Sequence, residues 1–221
     1  RSFHVTGVQT CALPISSQNL IKKGVVMDKL LESLVVDAPL DDIIIGDKNA
    51  IFLAARILGY GANYDVEVTD PFSGERQKVT IDLSKVQTKD VDFTILNRKN
   101  VYEYELPLSK KKIKFKLLTV ADEKSIVSRS EKYEKATKSQ ISNLLTYRLQ
   151  TQIKEIDGNR DINFIQQFIN FMPAYDSLKF REYSDSIEPG IDMSAEVEGP
   201  TGTFQAPVTL GLNFFWPNVR V

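Results

Sequence analysis

The side chains most often used for nucleophilic catalysis and for zinc binding are almost missing from this chain. Its 221 residues include one histidine, His4, and one cysteine, Cys11, and both lie within the first fifteen positions. A Ser–His or Cys–His pair needs an imidazole beside the nucleophile, and a structural zinc site usually needs four Cys or His ligands. From Ser16 onward neither chemistry has the residues it requires, and no disulfide can form there.

The first fifteen residues have a sequence that indicates an origin outside the gene. Read codon by codon, residues 5–15 (VTGVQTCALPI) correspond to a standard short-read sequencing adapter. We therefore predict that residues 1–15 are an adapter translation artefact, disordered and dispensable, in a gene recovered from a mixed DNA sample with its true N-terminus missing. The alternative is a natural polar leader or a weak signal peptide, but a signal peptide needs an apolar stretch of at least about seven residues.

A group of aspartates could suggest a magnesium site or acid–base chemistry. Asp41, Asp42 and Asp47 lie close together in the sequence, and carboxylates are the side chains that both uses require. The run Ile43–Ile45 between them is apolar, which favours a tight loop that enters the core. Residues 59–61 (GYG) lack the third glycine and the preceding strand of a dinucleotide-binding motif, so they are interpreted as a helix end.

Residues 157–161 (DGNRD) have the Asp-x-Asn-x-Asp start of a calcium-binding loop. Ile162 and Phe168 then occupy the positions of the glycine and the bidentate glutamate that such a loop requires. A turn followed by a helix with Asp161 as its N-cap explains the segment better. No metal or other cofactor is therefore predicted.

Residues 110–116 (KKKIKFK) could form a strand with lysines on one face and Ile113 and Phe115 on the other. The basic face of Lys110–Lys116 could bind phosphate groups, so a nucleic-acid-binding module is the alternative function for this chain. Lysines also protect an exposed edge strand from pairing with other chains, and this interpretation is favoured over phosphate binding.

Charge and hydropathy give no indication of nucleic-acid or membrane binding. The chain has 28 basic and 29 acidic residues; omission of residues 1–15 removes only Arg1, which leaves 27 against 29 and a net charge of −2. A balance this close to zero provides no overall attraction to nucleic acid or to a membrane surface. No apolar run approaches the roughly 18 residues of a transmembrane helix.

Hydrophobic periodicity predicts an α+β fold built from helices and two or three β-hairpins. No strand–helix–strand alternation is present, so a doubly wound α/β fold is not expected. Asp47 is predicted to be the N-cap of the second helix, and Thr119–Asp122 to open a long helical stretch as a capping box. The predicted helices cover residues 17–36, 48–58, 119–156, 161–171 and 176–186, and the predicted hairpins cover 64–83, 101–118 and 191–210.

Two apolar segments could bind a partner protein. The first helix carries a wide apolar stripe, which the missing N-terminal segment would have covered. The second segment is the aromatic run near the C-terminus, for which core packing is an equally good explanation. The predicted partner-binding residues are Leu20, Val25, Leu31, Phe214, Phe215 and Trp216.

Several short motifs together resemble those of the T4-like bacteriophage baseplate protein family. The motifs are residues 20–24 (LIKKG), 45–50 (IGDKNA), 54–61 (AARILGYG), 117–123 (LLTVADE), 173–177 (PAYDS) and 214–217 (FFWP). The resemblance extends with gaps from about residue 18 to the end, and it implies a non-enzymatic structural or chaperone-like assembly protein of the contractile tail baseplate hub. It also implies binding to other hub or tail proteins, in the host cytoplasm during tail assembly or in the virion baseplate.

The chain departs from this family at two hairpin turns. Many members carry Cys-Pro-x-Cys-Gly knuckles there, as zinc ribbons do, whereas this chain has residues 69–74 (TDPFSG) and 198–202 (EGPTG). The resemblance therefore implies degenerate, zinc-ribbon-like hairpins without metal, and an N-terminal segment of the family that would precede Leu20. The alternative function becomes a nucleic-acid-binding module of zinc-ribbon ancestry that uses the Lys110–Lys116 strand.

Overall fold

The protein is an α+β protein, as its sequence predicts. The computed structural model describes residues 26–97, 99–137, 143–199 and 202–215, which contain seven α-helices and three small antiparallel sheets. The chain divides into two compact units, one formed by the described parts of Arg1–Leu40, Gly46–Lys89 and Gly190–Val221, the other by Asp41–Ile45 and Asp90–Pro189. No helix among the described residues is both long enough and apolar enough to span a membrane.

The elements follow one another as helices, hairpins, helices and a final hairpin. In chain order they are α1 (Val26–Leu34), α2 (Ile45–Tyr60), β1 (Asn63–Thr69), β2 (Arg76–Asp82), β3 (Tyr102–Glu105), β4 (Lys112–Phe115), α3 (Val120–Thr137), α4 (Leu144–Gln152), β5 (Ile153–Ile156), α5 (Ile162–Asn170), α6 (Ala174–Ile187), β6 (Ser194–Gly199), β7 (Gly202–Pro207) and α7 (Leu212–Phe215).

Two hairpins of the first unit follow from the alternation of apolar and polar residues. In the β1–β2 hairpin, Tyr64 pairs with Ile81 and Val68 pairs with Gln77, so these residues share one face. The β6–β7 hairpin is built in the same way, with Val197 paired with Phe204. Both predicted hairpins are confirmed.

The second helix begins earlier than its sequence predicts. It starts at Ile45, so Asp47 lies within its first turn and is not its N-cap. The cause is a short pairing outside the helix, because Ile45 N donates to Leu118 O (3.1 Å) and Val120 N donates to Ile43 O (2.9 Å). This pairing fixes the backbone direction just before the helix. As expected for a loop that enters the core, Ile43 is buried.

The sheet of the second unit contains a strand that the sequence does not predict. Its order is β3-β4-β5, and Ile153–Ile156 forms the third strand instead of ending a long helix. Ile153 pairs with Phe115, and Ile156 pairs with Ile113. Both isoleucines are buried, so pairing with β4 outweighs the local preference for a helix. Strand β4 is consequently central, and the interpretation of its lysines as protection of a sheet edge is wrong.

Helices and the apolar face of this sheet enclose the core of the second unit. Phe180 of α6 packs edge to face on Phe115 of β4, with ring centroids 5.0 Å apart. The buried members of the core are Tyr102, Leu106, Ile113, Phe115, Leu117, Leu149, Ile153, Ile156, Ile165, Ile169, Phe180 and Ile187.

Two predicted helix starts in this unit are confirmed by their capping bonds. Asp161 accepts a hydrogen bond from Phe164 N (2.8 Å), which is the N-cap role predicted for it. At the start of α3, Asp122 Oδ2 accepts from Thr119 N (3.0 Å) while Asp122 N donates to Thr119 Oγ1 (3.4 Å). This is a capping box that uses aspartate in place of glutamate.

A buried carboxylate holds the turn between β3 and β4. Asp176, in the first turn of α6, is fully buried and accepts hydrogen bonds from Leu108 N (2.7 Å) and Ser109 N (2.9 Å). Burial alone would raise the pKa of Asp176, but these hydrogen bonds and the nearby Lys110 outweigh it and lower the pKa. The ionised carboxylate therefore connects α6 to a turn 67 and 68 residues away in the sequence.

Replacement of Asp176 by alanine is expected to destabilise the second unit in a pH-dependent way. Two partly buried amides would lose their acceptor, which costs up to about 1–3 kcal/mol for each unsatisfied group. Because the folded pKa lies below the unfolded value of about 3.9, the carboxylate's contribution is complete above that pH and disappears as the pH falls through the folded pKa. Urea unfolding should show a large difference from wild type at pH 7 that narrows near pH 3.

The matched control is Asp90→Ala, which removes an exposed carboxylate from the same unit. It should change the free energy of unfolding by no more than about 0.5 kcal/mol. An Asp176→Ala variant as stable as Asp90→Ala, or a deficit that does not change with pH, would contradict the assigned role.

Candidate interaction surface

The structure places three of the predicted partner-binding residues in the interior. Leu31, Phe214 and Phe215 are each at most 2% exposed, so none of them can contact a partner as an exposed side chain. For Phe214 and Phe215, the alternative of core packing is therefore the correct one. The other three predicted residues, Leu20, Val25 and Trp216, lie outside the described residues.

The burial of the two phenylalanines follows from their packing in the first unit. Phe214 packs edge to face on Tyr64 of β1, with ring centroids 5.1 Å apart. Phe215 packs in the same manner on Phe52 of α2, at 5.8 Å. The short helix α7 is thus part of the core, and each aromatic pair of this kind contributes about 0.5–1.5 kcal/mol beyond burial of its area.

A buried arginine fixes the position of this aromatic segment. Arg56 of α2 is 3% exposed and donates from Nε to Phe214 O (2.7 Å), from Nη1 to Gly61 O (2.9 Å) and from Nη2 to Asn63 O (3.0 Å). Burial lowers the pKa of Arg56. The negative ends of the carbonyl dipoles, two of them just beyond the C-terminus of α2, stabilise the guanidinium charge.

Three of the five lysines between Lys110 and Lys116 form ion pairs with neighbouring acids. These three charges are therefore less available to bind phosphate. The ion pairs are Lys111 with Asp157 (2.8 Å), Lys114 with Glu155 (3.2 Å) and Glu103 (3.6 Å), and Lys116 with Asp122 (2.7 Å).

An open groove of about 400 Å³ runs over this charged face of the sheet. Its lining includes Glu155 and Asp157, whose pKa values both lie below the ordinary range. Hydrogen bonds from Arg160 and Lys114 lower the pKa of Glu155, and hydrogen bonds from Lys111 and from Lys112 N lower that of Asp157. Both carboxyls are therefore ionised at neutral pH, which is unsuitable for a general acid.

The second unit exposes a group of large apolar side chains around the start of α6. Phe171 is 81% exposed, Leu108 61%, Tyr175 52% and Leu178 43%. Tyr175 and Leu178 lie about one turn apart on α6, and the backbone of Leu108 is held at the start of α6 because its amide binds Asp176. We call Leu108, Phe171, Tyr175 and Leu178 the α6 patch.

Charged groups border the α6 patch. Lys179 Nζ lies 5.8 Å from the centroid of the Tyr175 ring and forms an ion pair with Glu182 (2.7 Å). An apolar centre with a polar margin is typical of protein–protein interfaces. Sequence reasoning did not identify this patch, although Tyr175 and Leu178 share a face of α6 distinct from the one that carries buried Phe180.

Comparisons with known proteins assign no family to the chain. No protein-family model matches it, and neither the curated proteins nor the solved structures contain a match. Among the residues that the structure describes, no group of three or more His, Cys, Asp or Glu is placed to hold a metal ion. The exposure of its four large apolar side chains makes the α6 patch a candidate functional site.

Replacement of Arg56 by alanine is expected to unfold the first unit readily. The change removes the donor from one buried and two partly buried carbonyl hydrogen bonds and opens a cavity, for a total of about 3–5 kcal/mol. Arg56→Lys retains the charge but has a single ammonium group in place of three diverging donors, so it should fall between wild type and Arg56→Ala. Urea unfolding followed by circular dichroism measures the differences.

Arg76→Ala is the control, since Arg76 is exposed at the start of β2. It should remain within about 0.5 kcal/mol of wild type. If Arg56→Ala were equally mild, the three hydrogen bonds would not determine where the aromatic segment lies.

Proposed function

We propose that this chain is a non-enzymatic structural or assembly protein of the baseplate hub in a contractile phage tail. It acts by binding other hub or tail proteins, with no small-molecule substrate and no cofactor. The binding takes place during tail assembly in the host cytoplasm. Two features support the proposal, namely the motifs that resemble the T4-like baseplate family and the exposed α6 patch.

The motifs of the resemblance coincide with residues that hold the fold together. Arg56 belongs to residues 54–61 and binds three carbonyl groups, Asp122 belongs to residues 117–123 and caps α3, and Asp176 belongs to residues 173–177 and binds two amides. Each of these three motifs thus has a role in the fold. This pattern favours a protein whose activity is binding.

The α6 patch is the observation that carries the proposal. Exposed aromatic residues with few rotatable bonds are the side chains that most often dominate binding energy at protein interfaces. Phe171 and Tyr175 flank the turn before α6, and the buried Asp176 in the first turn of α6 binds the amide of Leu108. The partner expected here is a protein surface with an apolar pocket and a polar margin that complements the Lys179–Glu182 pair.

Binding of nucleic acid by β4 is less well supported. Three of the lysines between Lys110 and Lys116 already have acidic partners, and the chain as a whole is close to neutral. A phosphate-binding strand would need these charges to be available, and its affinity would fall steeply with salt. Tight, salt-dependent binding to DNA would restore this alternative and would count against the baseplate proposal.

The decisive test of the α6 patch is a double substitution, Phe171→Ser with Tyr175→Ser, introduced in the phage that carries the gene. Each interface aromatic contributes about 2 kcal/mol or more, so partner affinity should fall by at least about 100-fold in total. Both residues are exposed, so the purified variant should keep a melting temperature close to that of wild type. Electron microscopy of lysates should show that few tails have complete baseplates.

The matched control substitutes two exposed apolar residues elsewhere, Leu58→Ser with Val127→Ser. This control should assemble normal tails. Normal tails from the Phe171/Tyr175 variant would remove the α6 patch from the proposal, and normal tails after disruption of the whole gene would refute the proposed function itself. Mass spectrometry of purified tails and of assembly intermediates then shows whether the protein stays in the virion.

A further inference from the structure

In the first unit, the turn between β1 and β2 meets the last residue of strand β6. The turn between β1 and β2 begins at Asp70, and strand β6 of the other hairpin ends at Gly199. A Cβ atom added to Gly199 would lie 2.8 Å from Asp70 Oδ2, 2.9 Å from Phe204 Cε1 and 3.2 Å from Gln77 Nε2. The backbone of the second hairpin therefore lies directly against the carboxylate of the first turn, and no side chain fits between them.

The same carboxylate organises its own turn. Asp70 is fully buried, and its Oδ1 accepts hydrogen bonds from Phe72 N (2.7 Å) and Ser73 N (3.1 Å). Its backbone closes the turn as well, because Asp70 N donates to Glu75 O (2.9 Å) and Gly74 N donates to Asp70 O (2.8 Å). Gly74 has a φ of +73°, which favours glycine at this position.

The residues at these turns do not fit a zinc ion. Zinc ribbons bind the metal through thiolate or imidazole groups from two such turns. The described part of the two turns offers the carboxylate of Asp70, the hydroxyl of Ser73 and backbone groups as metal ligands. Asp70 Oδ1 already accepts hydrogen bonds from two backbone amides. No metal-binding group of three or more His, Cys, Asp or Glu residues is found in the described ranges.

We infer that the buried carboxylate of Asp70 connects the two hairpin turns in the place where a zinc ribbon uses a metal ion. One oxygen, Oδ1, fixes the first turn through two amides, and the other, Oδ2, lies against Gly199 and determines how closely the second hairpin approaches. Asp70 is thus a positioning residue for both hairpins. The pairing of the turns depends on a side chain of this chain, and its stability is independent of metal supply.

A double-mutant cycle with Asp70→Ala and Gly199→Ala tests the connection. Each single change should lower the melting temperature by about 4 °C or more, since one leaves two partly buried amides without an acceptor and the other forces a Cβ into the carboxylate. In the double variant the loss should be smaller than the sum, because removal of the carboxylate opens the space that the new Cβ needs. Addition of a metal chelator should leave the melting temperatures of the wild-type protein and of all three variants unchanged.

Two controls and a second measurement complete the experiment. Asp65→Ala removes an exposed carboxylate from β1, and Gly211→Ala adds a Cβ where no heavy atom lies within 4 Å; both should be nearly neutral. If Asp70→Ala does not fold, Asp70→Asn replaces it, since the amide oxygen keeps the Oδ1 bonds while an NH₂ group replaces Oδ2. Amide exchange should then stay slow at Phe72 and Ser73, and Gly199→Ala should still lower the melting temperature in the Asp70→Asn background, because the NH₂ group fills the same space as Oδ2.

Additive losses in the cycle would overturn the inference, because they would show that Asp70 and Gly199 act independently. A wild-type melting temperature that falls in chelator would also overturn it. A Gly199→Ala change that has no effect on the melting temperature in the Asp70→Asn background would have the same meaning. None of these results depends on whether the protein binds baseplate partners.

Discussion

A buried charge must find partners within the protein, and in this chain the main chain supplies them. Arg56 binds three carbonyl groups, while Asp70 and Asp176 each bind two consecutive amides. An ion removed from water without such partners would cost several kcal/mol, so the backbone around each of these residues has little freedom. Both hairpin turns that receive a carboxylate, and the aromatic segment that receives the guanidinium, take their positions from this requirement.

The elements best predicted from the sequence are those whose signals are local. The alternation in β1 and β2, the N-cap at Asp161 and the capping box at Thr119–Asp122 all depend on residues within a few positions of one another. The predictions that were wrong concern elements that depend on pairing with residues far away in the sequence. Strand β5 forms because β4 lies beside it, and α2 starts at Ile45 because the preceding residues pair near Leu118. Local propensity contains no information about such partners.

The exposed residues of the candidate site could not be predicted from the sequence for the same reason. The sequence marks Leu31, Phe214 and Phe215 as apolar, but residue type alone does not tell which apolar side chains another element covers. All three are buried, whereas Phe171 and Tyr175, which are not among the predicted partner-binding residues, are exposed. The contacts that decide this, such as Arg56 with Phe214 O, join residues 158 positions apart. A binding surface consists of the apolar residues left over once those contacts have formed.

The most direct measurement of this dependence on buried charge is native-state amide exchange in the wild-type protein, read at Phe72, Ser73, Leu108 and Ser109. Phe72 and Leu108 belong to turns and have exposed side chains, so their amides would ordinarily exchange quickly. If buried carboxylates hold the turns, all four amides should exchange about as slowly as those of the paired residues in β1 and β4. Exchange within about tenfold of the rate of an unstructured peptide would contradict the claim that these charges fix the fold.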